Sequence, residues 1–390
     1  MTSPEAQLAR VAAGSMIFES WDIAGAVVTH MVNQGITDFY IVDHRSSGDP
    51  RDQFLREIPA EAKIRWVRKN SPLFSQATTM TSLAHLARKD GFDAFVPFDA
   101  DEFFTGKSRP LIDEVRDWLA TTDTRALLCV MENYYQSRDV DVFTPDDLSQ
   151  VHYLAQRGEK PTEFLLDRSF EFARYAFSAQ PKKAIMRLLP GADGDFDWLL
   201  QGNHRVLNMT TGDFYPETLS TTVSVLHLPC RSRSSLTVRR AWGIRNQRDV
   251  GTSLDTGDTE FDMAESARDA EWKLASVPAG TTEDQIMVSG VAAVRDERLS
   301  TLTEGIVRAM RRANSKPAEC IDETQRIAEI ALDLAEPFVG MVKKSTVDHN
   351  PTVEVRAYRE LERKLVALQA ELDTARPNLL RLLINRIRRR

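Results

Sequence analysis

DAFVPFDADEFF, residues 93–104, joins an apolar run typical of a buried strand to a cluster of acids that follows it directly. Working outward, further strands are predicted at 11–18, 38–43 and 63–69. Segments with helical periodicity separate them, and glycines at positions 35 and 91 end the first and third of these helices. Strands that alternate with helices require right-handed crossovers, so we predict an α/β fold with a mostly parallel sheet.

The rest of the chain divides into further regions. The middle is less regular, with a helix near 110–120 and strands at 127–133 and 222–228. From about residue 246 helical patterns prevail, at 260–275, 283–313 and 319–344, and a last helix follows Pro351. We therefore predict three parts: a catalytic domain at 1–245, a helical region at 246–350, and a helix with a basic tail at 351–390.

One face of the last helix follows the 3-4 spacing of a coiled-coil seam for about two heptads. Its residues are Tyr358, Leu361, Leu365, Leu368 and Leu372. This seam would support a homodimer. The alternative is a helix that packs on its own domain, and the sequence does not decide between them.

The overall composition excludes several classes of protein. The chain has 390 residues, of which 42% are hydrophobic and 27% charged, which excludes a largely disordered chain. The net charge of −7 argues against a nucleic-acid-binding protein. Cys129, Cys230 and Cys320 form neither a disulfide framework nor a zinc pattern, which favours a reducing compartment.

The predicted location is cytoplasmic. No segment approaches the roughly 20 apolar residues of a membrane-spanning helix, and the first fifteen residues make a poor secretory signal. The tail at 376–390 carries six arginines among leucines and isoleucines and no acid. As a basic amphipathic helix it would lie on an anionic membrane surface, so peripheral attachment is one expectation. A helix that docks on the protein is the other.

Asp99 and Asp101 carry the strongest chemical signal. Ligands of parallel α/β sheets bind beyond the carboxyl ends of the strands. Residues two apart in extended backbone project to the same side, so both carboxylates can converge on one Mg²⁺ or Mn²⁺ ion. Glu102 would add a ligand or hold the loop. The competing interpretation is a loop of solvated acids.

A bound diphosphate would need cationic partners besides a metal, and its transfer chemistry to a hydroxyl would need a proton acceptor. Basic and acidic residues further along the chain are candidates for these two roles. Diphosphate oxygens or a leaving group would be bound by cationic side chains; the candidates are Lys182, Lys183, Arg231 and Arg233. An acceptor hydroxyl would need a general base. The stretch GADGDFDWLLQGNH offers three candidates: Asp195, Asp197 and His204.

Several segments, in order, resemble the family 2-like glycosyltransferases of GT-A fold, in the subgroup with a DADEF motif. The segments are MIFESWDIAGAVVTHMVNQGITDFYIVDHRSSGDP (16–50), FVPFDADEFF (95–104), PKKAIMR (181–187), GNHRV (202–206) and VSVLHLPCRS (223–232). The resemblance covers roughly residues 12–245. It implies a Rossmann-like GT-A sheet and a metal-dependent transfer of sugar from a nucleotide-diphosphate donor to a glycan or lipid-linked acceptor.

The resemblance also implies roles for individual residues. Asp43 would contact the nucleotide base, and Glu19 would lie near the nucleotide. Asp99 would face the ribose or the metal, Asp101 would bind the metal, and His227 would complete its site. A His–Asp–Asp set suits Mn²⁺ somewhat better than Mg²⁺. The family's Asn-Glu pair is Phe18–Glu19 here, and His44 and Arg45 replace small amides, which puts the base contacts in doubt.

Two other functions stay open at this point. A phosphatase of the haloacid-dehalogenase type also places a DxD motif after an apolar strand. It normally has Gly and then Thr or Ser after the motif, whereas Glu102, Phe103 and Phe104 follow here. A non-catalytic protein that binds a nucleotide sugar is the second alternative, and only turnover separates it from an enzyme.

Overall fold

The structure is a computed structural model that describes residues 8–69, 76–156, 182–188, 197–199, 203–208, 214–236, 265–288, 291–313, 317–327 and 330. The candidate base Asp195, the last helix and the basic tail at 376–390 lie outside the described residues. No helix in the described ranges is both long enough and apolar enough to cross a bilayer.

The N-terminal part confirms the predicted alternation of strands and helices. Its elements are β1 (Val11–Ile17), α1 (Trp21–Asn33), β2 (Asp38–His44), α2 (Arg51–Glu57), β3 (Lys63–Lys69), α3 (Gln76–Lys89) and β4 (Ala94–Pro97). Gly35 has a φ of 88° directly after α1, and Gly91 has a φ of 77° after α3. Glycine accepts this left-handed backbone without a steric penalty, which explains why both helices end there.

The middle of the chain adds antiparallel strands. Its elements are β5 (Glu102–Gly106), α4 (Leu111–Thr121), β6 (Ala126–Ser137), a 3₁₀ helix (Pro145–Gln150), β7 (Tyr153–Ala155), β8 (Lys183–Arg187), β9 (Asp197–Leu199), β10 (Val206–Asn208) and β11 (Glu217–His227). β9 and β10 form a separate hairpin.

The C-terminal part departs from the predicted helices. It consists of α5 (Glu265–Ala275), β12 (Ser276–Val277), β13 (Gln285–Val288), β14 (Val291–Arg295), α6 (Arg298–Ala313) and β15 (Glu319–Asp322). The predictions of helix at 285–288, 291–295 and 319–322 are wrong. In both places a short strand gains hydrogen bonds from a neighbour distant in sequence, β7 in one case and β3 in the other. The division of the chain at 245 and 350 stays a prediction.

Within the described residues one large sheet has the path β13-β14-β7-β6-β8-β4-β1-β2-β3-β15. The half from β4 to β15 is parallel, as predicted. β8 runs antiparallel to both β4 and β6, so the other half is mixed. The strand order reverses at β1, which lies between β2 and β4. In α/β sheets such a switch point opens a crevice at the carboxyl ends of the strands, where ligands bind.

Helices cover both faces of the sheet. One core cluster joins the sheet to the apolar sides of α1, α2, α4 and α6. A second cluster joins the opposite face to α3 and the β9–β10 hairpin. The carboxyl ends of β1, β2 and β4 therefore rise from a scaffold that is packed on both sides, which holds the loops that follow them in place.

The close contact between β1 and β4 gives a testable prediction. A Cβ at Gly14 would lie 2.4 Å from Cζ of Phe95, whose side chain is fully buried. We expect Gly14→Ala to lower the free energy of unfolding by about 1–3 kcal/mol, because the ring must leave its preferred position. The control is Gly305→Ala in α6, where the space is open. It should raise stability by about 0.5–1 kcal/mol through helix propensity. Urea unfolding measures both, and a neutral Gly14→Ala would contradict the packing described.

Candidate functional site

The acidic turn after β4 meets two other strands at the switch point. The backbone N–H of Glu102 donates to the carbonyl of Asp99 at 3.1 Å, which closes the turn. β5 then pairs with β11 so that Glu102 lies opposite His227. β11 also pairs with β6, which places Asn133 on the other side of His227. Side chains from three separate stretches of sequence are thereby brought to one place.

Lys183 binds two of the acids. It lies at the start of β8, beside β4, and its Nζ is 2.8 Å from Oδ2 of Asp99 and 2.8 Å from Oε1 of Glu102. The Lys183 side chain is only 2% exposed. Nε2 of Gln76, at the start of α3, donates to Oδ1 of Asp99 at 2.8 Å. Both oxygens of Asp99 are therefore engaged by protein groups.

Burial and the ion pairs change the acid–base properties of these groups. Burial alone would raise the pKa of Asp99, but the Lys183 ammonium lowers it below its usual value. Burial raises the pKa of Glu102 to about 7, against the opposing effect of Lys183. The two carboxylates in turn outweigh the burial of Lys183 and raise its pKa. The ammonium stays charged, and Glu102 is the group that titrates near neutral pH.

Asp101 and His227 form the second half of the cluster. Oδ1 of Asp101 is 3.7 Å from Nε2 of His227, and both side chains are buried. Nδ1 of His227 is 2.8 Å from Oδ1 of Asn133. An amide oxygen accepts hydrogen bonds, so Nδ1 carries the proton and Nε2 faces Asp101 with its lone pair. Burial, followed by the charge of Lys183, lowers the pKa of His227 to about 3, so the ring is neutral.

These residues fit a divalent cation in part. Among the described residues no group of three or more His, Cys, Asp or Glu side chains is arranged as a metal site. Asp101 and a neutral imidazole do provide two suitable donors on one side. Cations such as Mg²⁺ commonly take one or two protein ligands and complete their shell with phosphate oxygens and water. Asp99, Asp101, Glu102 and Lys183, when all are ionised, also sum to a negative charge that a cation would offset.

A second cluster follows β2 and β3. The Asp43 carboxylate has no exposed surface, pairs with Arg68, and accepts a hydrogen bond from the backbone N–H of Ser46 at 3.2 Å. Burial nevertheless raises the pKa of Asp43. Glu19, with a φ of 48°, accepts hydrogen bonds from the backbone N–H and the hydroxyl of Ser47, at 2.6 and 3.1 Å. Asp43 and Glu19 thus shape the loop after β2, and Arg68 and Glu19 are partly exposed charged groups of this cluster.

Some of the candidate base residues lie near the acidic turn. Nδ1 of His204 is 3.1 Å from the carbonyl of Lys182, and burial, with the charge of Lys183, lowers the pKa of His204 to about 4. The Lys182 side chain is exposed. Asp197 is buried in β9, and its Oδ2 lies 3.7 Å from Nη2 of Arg125. The structure therefore brings His204 to the turn and places Asp197 against Arg125.

The two arginines after His227 are held by carboxylates. Arg231 is 2% exposed and donates to both oxygens of Asp22, at 2.7 and 2.6 Å. Arg233 pairs with Asp269 at 2.5 Å and with Asp141 at 3.6 Å. Arg231 connects the segment after β11 to the start of α1, and Arg233 connects the same segment to α5.

Three contributors were missed by the sequence analysis: Gln76, Asn133 and Arg68. Arg68 lies near the end of the predicted strand KIRWVRK, and Asn133 lies at the end of the predicted strand LLCVMEN. Asp99 was selected because it is a polar residue at the predicted end of a buried strand. The same rule would also have selected Asn133. Nothing in the sequence around Gln76 distinguishes it from other polar residues of a helix.

The raised pKa of Glu102 makes stability depend on pH. Its value of about 7 in the folded state compares with 4.5 for an ordinary glutamate. The folded protein therefore holds a proton that the unfolded chain releases in this range. Stability should fall by about 3 kcal/mol as the pH rises through that window and level off above it. Urea unfolding at intervals across the window measures the slope, and Glu102→Gln should remove most of it. An unchanged slope in this variant would assign the effect to other groups.

Comparisons with known proteins give only weak structural likenesses. No protein-family model matches the chain, and no curated protein matches it. One similar structure is HddC from Yersinia pseudotuberculosis, with 14% identity over 33% of this chain and 64% of HddC, at a TM-score of 0.24. Another is UDP-glucose pyrophosphorylase complexed with UDP-glucose, with 9% identity over 79% of this chain and 99% of that protein, at a TM-score of 0.23.

Proposed function

We propose that this protein is a metal-dependent glycosyltransferase that uses a nucleotide-diphosphate sugar. One observation carries the proposal: the acidic turn lies at the switch point of the sheet, with the Asp101–His227 pair beside it. That crevice is where α/β sheets bind nucleotides. A buried carboxylate and a neutral imidazole oriented by Asn133 suit a cation that accompanies a diphosphate.

The proposed roles follow from the contacts. Asp101 and His227 would hold Mn²⁺ or Mg²⁺, and a bound cation would offset the charge of the diphosphate leaving group. Lys183 holds Asp99 and Glu102 in position. Asp99 keeps one edge toward solvent, with 32% of its side chain exposed, and accepts a ribose hydroxyl there.

His204 is the proposed general base for the acceptor step, because its contacts place it nearer the acidic turn than Asp197, the other described candidate. Its ring is neutral at pH 7 because its pKa is about 4. A neutral imidazole can accept a proton from a hydroxyl, which is the task of a general base, but a pKa of about 4 makes it a weaker base than an imidazole that titrates near pH 7. Asp195 and Asp197 remain alternative bases. The acceptor is a glycan or lipid-linked glycan, and the basic tail at 376–390 would hold the enzyme at an anionic membrane surface.

The contacts of Asp99 favour a transferase over a phosphatase. In a haloacid-dehalogenase-type enzyme the first aspartate of the motif must attack phosphorus. Here Lys183 and Gln76 bind its two oxygens. An attacking carboxylate needs at least one oxygen directed at the substrate, so this arrangement suits a positioning or binding role better.

The test is calorimetric titration of the full chain with UDP, GDP, ADP and CDP, with Mn²⁺ and then with EDTA. Binding of one nucleotide only in the presence of the metal is the expected result. Release of nucleoside diphosphate from the matching nucleotide sugar would then distinguish an enzyme from a binding protein. Failure of every nucleotide to bind to folded protein would overturn the proposal, and hydrolysis of a simple phosphate ester would favour the phosphatase.

A further inference from the structure

A cavity separate from the acidic turn lies between α1, α2, the 3₁₀ helix and α6. Its volume is about 510 Å³, within the range of small-molecule sites. Trp21, Phe54, Phe143 and Val307 form its apolar walls. We propose that this cavity binds an uncharged saccharide and, resting on the function proposed above, that the saccharide belongs to the acceptor.

The apolar walls are rigid. The Trp21 and Phe54 rings meet edge to face with centroids 5.4 Å apart, and Trp21 stacks on Trp66 at 5.3 Å. Nε1 of Trp21 donates to the hydroxyl of Ser46 at 2.9 Å, which fixes its orientation. Phe54 and Phe143 are buried, so the partly exposed Trp21 ring is the aromatic surface offered to a ligand. A preformed ring of this kind packs against the C–H face of a sugar without further loss of side-chain entropy.

Hydrogen-bonding groups line the same cavity. Gln53 donates to Glu57 at 2.7 Å along the face of α2, and Arg311 pairs with Asp146 at 3.4 Å across the cavity. The Arg311 and Asp146 side chains are 72% and 67% exposed, so their pairing is weak and both can turn to a ligand. A sugar ring has apolar C–H faces and hydroxyl groups around its edge. An apolar wall that is surrounded by hydrogen-bond donors and acceptors matches both features.

The charge of the lining argues against an anionic ligand. Asp22, Glu57 and Asp146 line the cavity with Arg311 as the one described cation. Arg231 balances Asp22 and Arg311 balances Asp146, so Glu57 leaves the lining with a net negative charge that would repel a phosphate or a uronic acid. A nucleotide therefore fits the acidic turn with its cation, and an uncharged sugar fits this cavity.

The position of the cavity suits an acceptor. α1 begins at Trp21, four residues after β1 ends, so its first turn lies at the same edge of the sheet as the acidic turn. Asp22, in the first turn of α1, is bound to Arg231, which lies four residues beyond His227. The end of β11 therefore connects the cavity wall to the Asp101–His227 pair through one short segment.

Saturation-transfer NMR on the full chain tests the site without nucleotide or metal. The probes are glucose, galactose, mannose, N-acetylglucosamine and their disaccharides, with glucuronic acid as the anionic comparison. We expect at least one neutral sugar to bind, and Arg311→Ala and Gln53→Ala each to weaken it about tenfold through a lost hydrogen bond. Arg308→Ala, one turn earlier on α6 and outside the cavity, is the matched control and should leave binding unchanged.

The outcomes separate this proposal from the proposed function. Saccharide binding that persists in Asp101→Asn, where metal-dependent nucleotide binding is lost, supports an independent second site. No binding of any saccharide, or binding insensitive to both cavity variants, overturns the proposal even if nucleotides bind. Tighter binding of glucuronic acid than of glucose would also overturn it. Saccharide binding without any nucleotide binding would keep the site and remove its acceptor role.

Discussion

Asp101→Asn is expected to weaken Mn²⁺-dependent binding of the nucleoside diphosphate by about 10–100-fold. The substitution keeps the size of the side chain but removes the charge that faces Nε2 of His227 at 3.7 Å. An amide is a much poorer ligand for a hard cation than a carboxylate. Calorimetry with and without Mn²⁺ measures the effect, and the two proteins should bind equally weakly in EDTA.

The matched control for this variant is Asp117→Asn. Asp117 lies in α4, and its side chain is 60% exposed and paired with Arg109. It should bind nucleotide like the unsubstituted protein, because a surface ion pair contributes little. Equal binding by Asp101→Asn and Asp117→Asn would show that Asp101 is not a metal ligand and would refute the proposed site.

Lys183→Met is expected to lower the free energy of unfolding by about 3–5 kcal/mol at neutral pH. The reason is electrostatic, since methionine fills much of the same volume. Without the ammonium, Asp99 and Glu102 lose the cation that both bind at 2.8 Å. Two acids beside each other, one of them fully buried, cannot both stay ionised, so one must take up a proton. Urea unfolding measures the loss, which should shrink as the pH falls and protonation becomes easier.

A second substitution tests this explanation. Glu102→Gln in the Lys183→Met background removes the acid with the highest cost of ionisation and should recover part of the lost stability. Lys63→Met, at an exposed position that begins β3, is the control for the chemistry of the substitution and should change stability by less than about 0.5 kcal/mol. A Lys183→Met protein as stable as the Lys63→Met protein would contradict the buried ion pairs.

The parallel half of the sheet could be predicted because its signals are local. β1, β2 and β4 are mostly apolar, and β3 places its apolar residues between charged ones. Gly35 and Gly91 supply the stop signals of α1 and α3. The C-terminal strands could not be predicted in this way. The run VAAVR of β14 has no helix-breaking residue, and ECID of β15 is too short to show a period. They become strands because β7 and β3 present open edges to them.

The acidic turn also combines features that the local sequence determines with features that only the tertiary structure determines. Its position was determined by the sequence alone, since an apolar strand followed by Asp99 and Asp101 must place both at the edge of a parallel sheet. The partners of these acids were decided only by the tertiary structure. Lys183 lies 84 residues from Asp99, and Asn133 lies 94 residues from His227. A buried charge or imidazole takes the partner that strand pairing brings within hydrogen-bonding distance, and that pairing depends on the register of β8, β11 and β6 rather than on local sequence.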